Sequence, residues 1–340
     1  MTDNVLVKVV NDRLELGAVR VSFQRTLRIP ETGLHPLPPG LGRFPLRRVA
    51  DYPDTAPADW LARGGVMLPI YQREAMWLSF DSAEPTALQV GVGKVCAVSG
   101  LPWIEQLIRE PQNYVALPRQ PWLDGINSGD GFIRQFIAVP LGLGATVEGQ
   151  VTGQEVHGGV QLRAVGLTES ALAQWRAEQE ASRAEREALL AQPLEPGAWD
   201  EGPMSDGEAV PGAVPSMGLG AGGQMRQEVY VDDRPLADYD QTGALRVFVH
   251  LCSAAQWTAI TGEVPPSTPV DRDAYVRADL PWFDFYDTDA RDLEPSAVLS
   301  NVQTIGTKLG HDEKPFVPVK SSAVIPLGGN GGDTVTDGDW

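Results

Sequence analysis

Short runs in which β-branched and other apolar residues recur at every second position constrain this chain more tightly than any other feature. Val19-Arg-Val-Ser-Phe-Gln24 alternates apolar with polar, and near the start Val5, Val7 and Val9 recur at every second position between Leu6, Lys8 and Val10. A period of two in β-branched residues marks a pleated, half-buried surface. Similar runs follow at Met67–Tyr71, Ala75–Phe80, Ala87–Val98, Tyr114–Leu117, Phe132–Val139, Gly159–Val165, Met225–Val231 and Leu245–Cys252. Glycine- and proline-rich turns separate them at short intervals, as in Pro36-Leu-Pro-Pro-Gly-Leu-Gly42. Such spacing leaves no room for the helices that βαβ units need. The expectation is a mainly β chain, an antiparallel β-sandwich or a jelly-roll-like arrangement, with one long polar helix inserted.

That helix follows Thr168, which is placed to cap it, and runs through Ala-, Glu-, Arg- and Leu-rich sequence to Gln192. Arg176 and Glu180, and Arg183 and Glu187, stand four apart. Few apolar anchors occur among them, which predicts a solvated helix. Pro193 ends it, and the 32 residues from Pro193 to Gln224 hold eight glycines and five prolines. The expected organisation is a β-rich domain over 1–167, an exposed helix over 168–192 and a Pro/Gly/acid-rich linker over 193–224. A second β-rich unit over 225–327 and a disordered Gly/Asp-rich tail over 328–340 complete it. Three strings echo across the linker: Gly131–Val139 with Gly223–Val231, Ala97-Val-Ser-Gly100 with Ala259-Ile-Thr-Gly262, and Pro121-Trp-Leu-Asp124 with Pro281-Trp-Phe-Asp284. They raise the expectation of two related β units, an internal repeat.

Charge narrows the partners. The formal net charge is −18, and the densest basic spot is the single pair Arg47-Arg48. Nucleic acid is bound mainly by neutralising phosphates, and anionic membranes by basic clusters, so neither is expected as a partner. The first ten residues lack the basic start and apolar run of a signal peptide. No stretch approaches the ~18 uninterrupted apolar residues of a membrane span. With two distant cysteines, Cys96 and Cys252, a disulfide framework is excluded, and a cytoplasmic location is expected.

No catalytic template fits by spacing. There is no G-x-S-x-G nucleophile elbow, no C-x-x-C, and none of the four histidines stands in zinc-binding spacing. No cofactor is expected. The Gly218-x-Gly-x-Gly-Gly223 run precedes a strand, whereas phosphate cradling needs a following helix. Residues that could bind a ligand remain. Arg134 and Arg226 sit mid-strand beside glutamines and could clamp an anion, or serve in structural ion pairs. Trp122 and Trp282, each preceded by proline and followed two residues later by Asp124 and Asp284, could form sugar-binding platforms or pin loops to a sheet. His157 precedes two glycines. Asp287 and Asp289, within the acidic run from Asp284 to Asp292, are the weak candidates for a cation, although that run lacks the glycine and terminal glutamate of a helix–loop–helix calcium site. No metal site is expected.

Six strings carry a resemblance: Pro121-Trp-Leu-Asp-Gly125, Gly131-Phe-Ile-Arg-Gln-Phe136, Glu155-Val-His-Gly-Gly159, Met225-Arg-Gln-Glu-Val-Tyr230, Gln256-Trp-Thr-Ala-Ile-Thr-Gly-Glu263 and Leu280-Pro-Trp-Phe-Asp-Phe-Tyr286. Together they resemble a family of uncharacterised bacterial proteins, with some similar fungal sequences. The likeness covers roughly 64–292 without the helix and linker. It implies one shared fold and adds no chemistry.

The leading functional expectation is a non-catalytic interaction or self-assembly protein, with a protein partner or a second copy of itself in a homo-oligomer. One alternative is a carbohydrate- or small-anion-binding β-sandwich. The other is a hydrolase working through paired carboxylates or His157.

Overall fold

The alternating runs become strands, except Met225–Val231, of which only Met225 and Arg226 lie in one. In the computed structural model, which describes residues 7–129, 131–190, 216–285, 291–310 and 318–327, Val19–Thr26 pairs antiparallel with Ala75–Ser82. Val21 faces Phe80 across that ladder and Phe23 faces Leu78, and all four turn to the interior. Ala75–Ser82 continues through Met76 opposite Phe136 into Phe132–Pro140, which pairs with Met217–Arg226. These strands form the first layer.

The second layer runs from Val115–Leu117 through Thr86–Val92, Val160–Val165 and Leu245–Cys252 to Val66–Pro69, the last pair being parallel. Its Val90, Leu162, Val249 and Leu68 meet Phe23, Leu78, Phe136 and Leu219 of the first layer in one buried core. Met217 opposite Leu251 joins the layers at one edge. Among the described residues the chain is therefore mainly β, a sandwich of two layers with side chains interdigitating between them. No helix of the described residues is long and apolar enough to cross a membrane.

A third, smaller layer lies on the outer face of the first. Trp282–Phe285 pairs in parallel with Val324–Leu327. Trp282 is fully buried in a second core with Leu27, Ile29, Ile133 and Met225. Leu37 and Phe283 exchange backbone hydrogen bonds of 2.8 and 3.0 Å, which fix this layer to the loop before Gly40.

The helix forms over Glu169–Leu190. Ala171 N donates to Thr168 Oγ1 at 3.3 Å, and the described side chains beyond Trp175 are exposed. Arg176 pairs with Glu84 at the edge of the sheet, where sequence spacing pointed to Glu180.

The linker needs correction. Met217–Arg226 is a ten-residue strand, so the segment from Met217 to Gln224 belongs to the sheet; residues 191–215 lie outside the described residues. The glycines that looked like linker composition are places where neighbours press close. A Cβ at Gly220 would stand 2.7 Å from Ala145 O, one at Gly222 would stand 2.6 Å from Ile137 Cγ1, and one at Gly223 would collide with Pro30 O. The two expected β units also share a ladder, because Val160–Val165 and Val66–Pro69 both pair with Leu245–Cys252. Of the echoes, Ala97–Gly100 lies in a turn, whereas Ala259–Thr261 closes the helix Ala254–Thr261, whose Ser253 and Gln256 form a capping box. Gly131–Val139 lies almost wholly in the strand Phe132–Pro140, whereas only Gly223–Arg226 of its echo lies in the antiparallel neighbour, with Phe132 opposite Arg226. The segment 328–340 lies outside the described residues.

Candidate functional site

The sequence-derived candidates separate into different places. Trp122 and Asp124 line a pocket of about 240 Å³ on the outer face of the first layer. Trp282, next in sequence to Phe283 of that pocket, is buried in the second core, and Asp284 is exposed. Arg134 and Arg226 lie diagonally across the ladder of Phe132–Pro140 and Met217–Arg226, since Arg134 is opposite Gln224 and Arg226 opposite Phe132. Arg134 makes no ion pair among the described residues, and its Nε is buried without a hydrogen-bond partner. Asp287 and Asp289 lie outside the described residues. Asp292 is committed to structure, accepting from Gly131 N at 2.7 Å and Val229 N at 2.9 Å. Among the described residues no three His, Cys, Asp or Glu side chains converge as metal ligands.

His157 faces a larger cleft, of about 620 Å³, at the edge of the second layer. Its walls are built by close backbone approaches. Gly65, at φ +86°, stands where a Cβ would collide with Phe248 O, so the helix Ala58–Arg63 can end directly against the strand Leu245–Cys252. That contact sets the Arg63 guanidinium 4.8 Å from the Phe248 ring centre. On the opposite side a Cβ on Gly91 would stand 2.6 Å from Trp103 Cε3, so only a glycine lets the indole lie flat on the sheet. Trp103 N donates to Lys94 O at 2.8 Å, which ties the indole to the Lys94 turn.

The cleft is cationic. Arg48, Arg63, Lys94 and Arg246 line it with His157, and among the described residues no Asp or Glu does. Arg48 is paired with Asp51, and Arg246 with Glu105. Arg63 and Lys94 form no ion pair among the described residues.

Behind His157 lies the buried Glu148. Its Oε2 accepts from His157 N at 3.2 Å and Gly158 N at 3.0 Å, and its Oε1 is 3.5 Å from His157 Nδ1. Burial pushes the His157 pKa below its ordinary value, and the nearby Lys94 and Arg63 charges push it the same way against the pull of Glu148. The imidazole is therefore neutral at pH 7 and can accept a hydrogen bond or a proton.

The thiols take no part in the cleft. Cys252 donates to Leu68 O at 3.0 Å, and burial raises its pKa. His250, on the same strand, is held between Trp60 at 4.4 Å and Phe248 at 4.7 Å, with a ring nitrogen 2.9 Å from Gly64 O. A further hollow of about 490 Å³ is lined, among the described residues, by the exposed helix between Trp175 and Arg183.

Nothing in the sequence singled out Arg63, Lys94 or Phe248. The signal for them was faint: glycines in or beside predicted strands, at 64–65 and at Gly91 and Gly93, each marking a close backbone approach. Comparison with protein-family models, with characterised proteins and with solved structures found no match for the chain.

Proposed function

We propose that this protein is a non-catalytic binding β-sandwich whose cleft takes a small organic anion with an apolar body. The observation that carries the reading is the pair Arg63 and Lys94. Two cations without carboxylate partners among the described residues face one concavity in a chain of net charge −18. Positive charges gathered in a cleft repel one another, and a bound anion relieves that repulsion. Trp103, Phe248, Val7 and Val247 supply the apolar wall, and neutral His157 supplies a hydrogen-bonding tip. The volume falls within the range of about 300–1,000 Å³ usual for small-molecule sites. The reading keeps the non-catalytic character expected from the sequence and takes its ligand class from the cleft. A ligand that binds the native state raises the melting temperature with concentration. Benzoate, phenyl phosphate and hexanoate should do so, inorganic phosphate less, and added chloride should reduce every shift. Arg63→Gln and Lys94→Gln should each weaken binding about tenfold, the scale of one charge-assisted hydrogen bond. Shifts of equal size in the double variant, or no saturable shift with any of the anions, would refute the reading.

A further inference from the structure

The pocket that holds Trp122 and Asp124 is unlike the cationic cleft in both shape and charge. Trp122 lies opposite Ser79 on the neighbouring strand, which puts it on the same outer face as Trp77 and diagonal to it, within reach of a large ring. Phe283, from the third layer, closes the side opposite the indoles, and Leu37, Pro38 and Pro39 form the rim. That rim is fixed by Thr26 Oγ1 donating to Pro39 O at 2.8 Å and by the Leu37–Phe283 backbone bonds. All three aromatic residues are half-buried, with part of each ring facing the opening.

Among the described residues Asp124 is the one ionisable residue lining this pocket. It is 4 % exposed and receives Gln227 Nε2 at 2.8 Å. The Trp122 side chain also hydrogen-bonds it, so that indole N–H is already used. The Trp77 Nε1 is buried beneath the Gly40 backbone and is closed to a ligand. The pocket therefore offers ring faces and one carboxylate, and no indole donor. A sugar needs donors and acceptors together. A cation needs only the negative faces of the rings and a counter-charge.

We infer that the pocket bounded by Trp77, Trp122 and Phe283 binds a quaternary or methylated ammonium group, with Asp124 as its counter-charge. The size agrees. At about 240 Å³ the pocket is smaller than the usual small-molecule site, and it suits a single trimethylammonium headgroup. Burial holds Asp124 partly protonated near neutrality, its pKa pushed up to about 7, so a bound cation would drive its proton off.

Titration calorimetry with choline and tetramethylammonium on the full chain tests the inference without relying on a variant. Choline should bind at least tenfold more tightly than its uncharged isostere 3,3-dimethylbutan-1-ol. Binding at pH 7 should release a fraction of a proton, read from heats in buffers of different ionisation enthalpy, and affinity should rise between pH 6 and 8. Asp124→Asn should remove both the pH dependence and the proton release, and Trp122→Leu should weaken choline binding while sparing anion binding in the cleft. Equal affinity for the isostere, saturable binding of glucose or galactose in place of choline, or no binding of either cation would each overturn it.

Discussion

The Arg63 guanidinium stacks on the Phe248 ring at 4.8 Å because Gly65, two residues later, lets the backbone run against the Phe248 carbonyl. The cationic wall of the cleft thus depends on a residue that contributes no side chain to it. Gly65→Ala would meet both a left-handed φ of +86° and a collision with backbone. We expect a loss of about 2–4 kcal/mol in urea unfolding. Benzoate binding by any folded fraction should weaken as well, because Arg63 moves.

Asp124 makes stability fall as pH rises. Its pKa is raised, mainly by burial, from 3.8 unfolded to about 7 folded. A raised folded value means the stability is fully present below the unfolded pKa and is lost as pH climbs through the folded one. The loss between pH 4 and 7 amounts to as much as about 4 kcal/mol for this group alone. Chemical denaturation of Asp124→Asn across that window should therefore show a flatter profile than the parent, with the variant gaining relative stability towards pH 8. Identical slopes would mean the carboxyl is ionised throughout.

His250 acts in the opposite direction. Burial between Trp60 and Phe248 lowers its pKa from 6.5 to about 4, although its bond to Gly64 O pulls upward. Its contribution is present above pH 6.5 and lost as pH falls towards 4, up to about 3 kcal/mol. In an NMR titration its ring resonances should stay unchanged from pH 8 to about 5. His157, also lowered, should begin to protonate before His250 does, and phenyl phosphate bound in the cleft should raise the His157 midpoint.

A buried ion pair holds the start of the strand Ala75–Ser82. Arg25 Nε donates to Glu74 Oε1 at 2.6 Å, Arg25 Nη2 to Ser267 O at 2.6 Å, and Tyr71 N to Glu74 Oε2 at 2.9 Å. Glu74→Gln leaves a guanidinium nearly out of water without its counter-charge, which should cost about 3–5 kcal/mol. The double change Arg25→Met with Glu74→Leu should cost less than Glu74→Gln, as measured by urea midpoints. A larger cost for the double change would show that the hydrogen bonds outweigh the desolvation of the pair.

The sheet was legible because alternation is a local property. Val21 and Phe23, or Phe136 and Ala138, declare a buried face through their own neighbours. The solvated helix was legible for the same reason, down to its Thr168 cap. Met217–Gln224 was not. Met217, Leu219 and Ala221 do alternate with Gly218, Gly220 and Gly222, but glycine at every second position reads as linker composition, and it is needed there only because Ala145, Ile137 and Pro30 crowd the strand from other parts of the chain. The aromatic pocket was half legible. Trp122 and Asp124 stood out as a string, whereas Trp77 and Phe283 joined them only through cross-strand register and the Leu37 bridge.

By itself the sequence determined that this chain makes layered antiparallel sheets with a polar helix, because period-two patterning fixes which side of a strand is apolar wherever that strand is placed. Tertiary structure alone decided that Arg63, Lys94, Trp103, His157 and Phe248 share one cleft. Alternation assigns a residue to a face and leaves the neighbouring strand unspecified. That choice rests on register and on close contacts such as Gly65 against Phe248, which act between residues far apart in the chain.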